Sequence, residues 1–109
     1  MINILLIVDN KEKRNVLSQI ILKMGYNVTC FVSENEILKL ISLNPPNLII
    51  VDYDTKSIDI SLFLKKIKVQ FKGDNFLITT IVPKDFKNYE EIKLSDFVIN
   101  DFKDINLLK

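Results

Sequence analysis

Histidine is absent from this chain of 109 residues. That removes imidazole-based catalysis and metal sites built on imidazole. Glycine is scarce: Gly25 and Gly73 are the two present. A Walker phosphate loop or a dinucleotide-binding fingerprint needs more. The single cysteine, Cys30, excludes a disulfide within the chain and suits a reducing cytosol. It is expected to be a small core residue in a strand. An excess of charge of either sign is also missing. Fifteen basic and fourteen acidic residues leave a net charge of +1, which gives no global pull toward nucleic acid. The lysines are spread along the chain and read as solvated faces. No apolar run is long enough to span a membrane, and no charged start followed by an apolar stretch marks a signal peptide. The expectation is a cytoplasmic protein with no membrane partner and no direct contact with nucleic acid.

What is present has an ordinary globular balance, 48% hydrophobic and 27% charged. One domain over residues 1–109 is expected. Asn3 to Val8 and Asn47 to Val51 are near-continuous runs of Ile, Leu and Val, the pattern of strands covered on both faces in a parallel sheet. Between them, Val16, Leu17, Ile20, Ile21 and Met24 fall on one helical face. Asn10 is placed to cap that helix and Gly25 to end it. Val28, Cys30 and Val32 alternate as in a strand. Ser33 to Glu36 reads as a capping box that opens a second helix, ended by Asn44-Pro45-Pro46-Asn47. A third helix runs from about Ile60 to Phe71, with Leu62, Phe63, Ile67 and Phe71 facing in. A fourth strand covers Phe76 to Val82. A weakly periodic helix follows from Pro83 to Ile92, then a fifth strand from Phe97 to Asn100. A last helix begins at Asp104 and stays truncated at Lys109, so the expectation is either a fragment of a longer regulator with an output domain after it, or a last helix that is missing or borrowed from a partner, as in a homodimer. The alternation gives an α/β doubly wound, five-stranded parallel sheet with right-handed crossovers.

Two of the strand runs end in an acid, Asp9 and Asp52. Ligand chemistry in parallel sheets sits at the carboxyl ends of the strands. Two carboxylates there make a candidate site for a hard cation and a phosphoryl group. On their own they also read as acids that end strands and cap the next loops.

Four segments together resemble the receiver domain of bacterial two-component response regulators. Ile4-Leu-Leu-Ile-Val-Asp9-Asn10 is similar to the family's first strand and acidic pair. Pro46-Asn-Leu-Ile-Ile-Val-Asp52 is similar to the run into the phosphoacceptor aspartate. Phe76-Leu-Ile-Thr-Thr80 resembles the fourth strand with its terminal hydroxyl, and Ser95-Asp-Phe-Val-Ile-Asn100-Asp101-Phe102 the fifth strand and the corner after it. The resemblance implies the flavodoxin-like (CheY-like) strand order 2-1-3-4-5. It implies a signalling module rather than an enzyme, with Mg²⁺ as cofactor. Its partners would be a histidine kinase or phosphotransfer protein, and an output domain or downstream protein. Carried over, Asp52 is the phosphoacceptor and Thr80 the switch hydroxyl. Asp9, Asn10 and Asp52 are the metal ligands, and Phe97 is the switch aromatic. Asn100 stands at the usual lysine position.

The departures are specific. Asn10 replaces a carboxylate, Asn100 replaces the lysine, and Asp101 replaces the proline after it. The site therefore reads as two carboxylates and no lysine. Fewer anions weaken Mg²⁺ binding, and a missing ammonium removes transition-state stabilisation. Two functions follow as expectations. One is a receiver phosphorylated on Asp52. The other is a phosphorylation-independent pseudo-receiver that serves as an interaction or dimerisation module. Asn10 reads equally well as a helix cap, Thr80 as a strand residue, Phe97 as core, and Asn100 and Asp101 as loop.

Overall fold

The apolar runs become the strands of one parallel sheet. In chain order the elements of this computed structural model are β1 (Asn3–Ile7), α1 (Lys11–Lys23), β2 (Asn27–Cys30), α2 (Glu34–Leu43), β3 (Leu48–Asp52), α3 (Ile60–Gln70), β4 (Leu77–Ile81), a 3₁₀ turn (Tyr89–Ile92) and β5 (Phe97–Ile99). The structure describes residues 2–30 and 33–101. Val32 in the second strand, Phe102 and the last helix expected from Asp104 lie outside the described residues. The five strands are ordered β2-β1-β3-β4-β5, and every pairing is parallel. The expected doubly wound order therefore holds.

Alternation along the strands splits the core into two layers. Leu5, Ile7, Ile49, Val51 and Ile78 pack with Ile37 and Ile41 of α2 and Phe63, Leu64 and Ile67 of α3. Ile4, Leu6, Val8, Ile50 and Ile81 pack with Leu17 and Ile21 of α1 on the opposite face. Helix α1 presents a narrower apolar face than its pattern suggests, because Val16 is 46% exposed. On α3, Leu62 faces solvent rather than the core. Cys30 is exposed, in contrast to its expected core position. Strand β2 is a sheet edge, so only one of its sides is paired.

The caps settle where the helices start. The Asn10 side chain accepts the Lys13 backbone N–H at 2.9 Å, which satisfies one of the orphan donors of α1. Asp59 does the same for α3, accepting from the Leu62 N–H at 3.1 Å. Ser33 stands at the N-cap of α2 but its side chain makes no capping bond, so the capping box is not realised. Gly25, just past the end of α1, has φ 86°, a left-handed conformation that glycine adopts without a Cβ clash. Asn10→Ala is expected to lower the unfolding free energy by about 1 kcal/mol, read as a fall in the urea midpoint at unchanged slope.

The segment after β4 corrects the expected fourth helix. Instead of an α-helix over 83–92, the chain turns and forms the short 3₁₀ element. Pro83, Asp85 and Asn88 favour turns. The apolar residues Phe86, Tyr89 and Ile92 recur every third position, which suits a 3₁₀ repeat better than a 3.6-residue period. Phe86 packs edge-on against both Tyr53 and Tyr89, at 4.7 Å and 5.1 Å between ring centroids. These contacts tie the segment to the loop that follows β3.

Candidate functional site

Strand β3 carries Asp52 to the carboxyl end of the sheet and buries it. The residue is 1% exposed, beside Ile81 in the β3–β4 register. A carboxylate so placed needs partners, and it has them. The Lys13 ammonium lies 3.0 Å from Oδ1 and 2.9 Å from Oδ2. The Asp54 N–H donates to Oδ1 at 3.3 Å. Burial pushes the Asp52 carboxyl up from its ordinary value, and the hydrogen bond and charge of Lys13 pull it partly back.

Lys13 is the residue at this site that the sequence motifs do not announce. It comes from the first turn of α1, not from the end of β5, so the site holds a lysine after all. Its backbone N–H is fixed by Asn10 and its ammonium by Asp52. A sequence signal for it exists. The first turn of a helix favours acids over bases, because the unpaired N–H groups there are partially positive. Lys11, Lys13 and Arg14 all stand in or next to that turn. A base in that unfavourable position points to a partner elsewhere. Arg14 also finds one, donating to the Val8 carbonyl at 3.3 Å.

The other candidate residues are dispersed around this pair. Asp9 accepts the Lys56 backbone N–H at 2.8 Å through Oδ2, bracing the loop after β3. Thr55 braces the same loop from inside, donating to the Ile7 carbonyl at 3.3 Å. The Asn10 side chain is engaged in the helix cap. Thr80 is fully buried and pairs in register with Val51, so alternation places it on the α3 face of the sheet. Its hydroxyl shares a 2.5 Å hydrogen bond with Ser95. The residue abreast of Asp52 is Ile81, and Thr80 is not brought to the carboxylate. Phe97 stands 53% exposed opposite Thr79. Asn100 donates from Nδ2 to the Tyr89 hydroxyl at 2.7 Å.

A divalent cation held by Asp9, Asn10 and Asp52 does not fit this arrangement. Both Asp52 oxygens face the Lys13 ammonium, the Asn10 carbonyl oxygen faces a backbone N–H, and one Asp9 oxygen is engaged by Lys56. Among the described residues no three acidic, cysteine or histidine side chains gather as a metal-binding group. Nor is any described helix long and apolar enough to cross a membrane.

No family model matches the chain, and no curated protein matches it. Solved structures do. A response-regulator receiver domain from Francisella superposes with a TM-score of 0.81 at 19% identity, over 99% of this chain and 93% of that one. The response regulator TrrA from Thermotoga maritima, solved in complex with Mg²⁺-BeF, gives a TM-score of 0.81 at 19% identity over the same shares. A response regulator from Chloroflexus aurantiacus gives 0.79 at 18% identity, over 90% of this chain and 83% of that one. With the strand order and the strand-end aspartates in place, these likenesses give the chain the CheY-like fold of response-regulator receiver domains.

Proposed function

We propose that this chain is a pseudo-receiver, a cytoplasmic signalling module that works through protein–protein contacts without phosphorylation of Asp52. The observation that carries the reading is the Lys13–Asp52 ion pair, with Asp52 almost wholly buried. An attacking carboxylate has to reach a phosphorus atom in line with its leaving group. Here both oxygens are engaged by one ammonium. The engagement of Asn10 in its cap supports the same reading. Leu77, Phe97 and Val98 leave apolar surface open along β4 and β5, the kind of surface that protein partners bury.

Intact-mass analysis after incubation with Mg²⁺ and a small acyl phosphate tests it. The expected result is an unchanged mass for the folded wild type. A gain of one phosphoryl group, abolished in Asp52→Asn, would overturn the reading. That result would establish the second one, in which Asp52 accepts a phosphoryl group from a histidine kinase or phosphotransfer protein. The second reading draws its support from the position of Asp52 at the end of β3.

A further inference from the structure

We infer that the Lys13 ammonium is the resident cation of this site, and that it closes the strand-end aspartates to divalent metal. The inference deepens the reading of the site given above, on which it rests, by naming what fills the cation's place.

Lys13 contacts both oxygens of Asp52, at 2.9 Å and 3.0 Å. Its unit charge balances that of the carboxylate. Asp54 Oδ2 lies 4.0 Å from the same ammonium, more exposed than Asp52. A charge-assisted bond of this kind, with the carboxylate almost wholly buried, is among the stronger polar contacts a protein makes. Mg²⁺ requires oxygen ligands at about 2.0–2.1 Å in octahedral geometry. To bind Asp52 it would have to sit within a few ångströms of the ammonium, where the two positive charges repel. The root of the Lys13 side chain is fixed beside the site. Its backbone is pinned in the first turn of α1 by Asn10. The residue that caps the helix is the one whose side chain would otherwise face the metal. One asparagine therefore removes a ligand and places the competing cation.

Metal titration tests this without reference to phosphorylation. Mg²⁺ alone is titrated into the wild type, Lys13→Gln, Lys13→Ala and the double variant Lys13→Ala/Asn10→Asp. Binding is followed by calorimetry and by amide chemical shifts of residues 9–14 and 52–56. Aspartate caps a helix as well as asparagine does, and its second oxygen stays open to a cation, so the double variant restores a carboxylate ligand without removing the cap. Gln retains most of the chain length and packing of Lys13, and guards against a fold lost in Lys13→Ala. The expected result is no saturable binding by the wild type, and at least tenfold tighter binding once the ammonium is gone, strongest in the double variant. Equal affinity in the wild type and the Lys13 variants would overturn the inference. So would a folded double variant that fails to bind, because Lys13 would then not be what keeps the metal out. A wild type that gains a phosphoryl group yet binds no Mg²⁺ would sink the proposed function and leave this inference standing.

Discussion

Lys13→Met is expected to destabilise the fold by about 3 kcal/mol at neutral pH, whereas Asp52→Asn is expected to stabilise it by about 1 kcal/mol. The opposite signs follow from the asymmetry of burial. Asp52 is 2% exposed at its side chain and Lys13 is 19% exposed. Removing the lysine strands a buried carboxylate. Removing the carboxylate's charge leaves a lysine that can turn to water, and an amide that still accepts from it. The pH dependence carries the same sign. The folded Asp52 carboxyl is raised above its unfolded value, so the native state holds that proton more tightly. Its contribution to stability is fully present below the ordinary value of 3.8 and is lost as pH rises through the folded value. Lys13→Met should therefore come close to wild-type stability in acid and diverge from it toward neutral pH. Thermal unfolding across that range checks this, since each kcal/mol moves the midpoint by about 4–8 °C in a domain of this size. A uniform loss at every pH would show that the methylene chain of Lys13 matters and its charge does not.

Phe63→Ala is expected to cost about 3–5 kcal/mol. Phe63 is fully buried on α3, in the layer with Ile7, Val51 and Ile78. Its ring therefore holds the helix that follows the Asp52 loop against the centre of the sheet. The neighbouring Leu62, 49% exposed, provides the control. Leu62→Ala should stay within about 0.5 kcal/mol of wild type. Urea unfolding of both variants separates the two positions. A small effect at Phe63 would mean that the layer collapses around the lost ring.

The sheet and its order were legible because strands covered on both faces have to be apolar throughout, as Ile4 to Val8 and Leu48 to Val51 are. The strand-end aspartates were legible for the same reason, since an acid stands out after such a run. The segment after β4 was not, because Pro83 to Ile92 carries apolar residues at a spacing that fits a loose helix and a 3₁₀ turn alike. Lys13 was not legible from the site motifs either. Its role depends on a long side chain crossing from α1 to β3, a separation of 39 residues along the chain. Strand pattern reports which side of a sheet is covered, and says little about which flexible chain reaches over its end.

The ring contacts after β3 and β4 have a practical consequence. Tyr53 directly follows Asp52 and meets Phe86, which meets Tyr89, whose hydroxyl is held by Asn100. The chain has three tyrosines and no tryptophan. Its intrinsic ultraviolet emission therefore comes from tyrosine, and two of the three emitters stand on this relay between the ends of β3, β4 and β5. Any event that shifts those loops changes the emission of the unlabelled protein, so the molecule carries its own optical reporter of what happens beside Asp52.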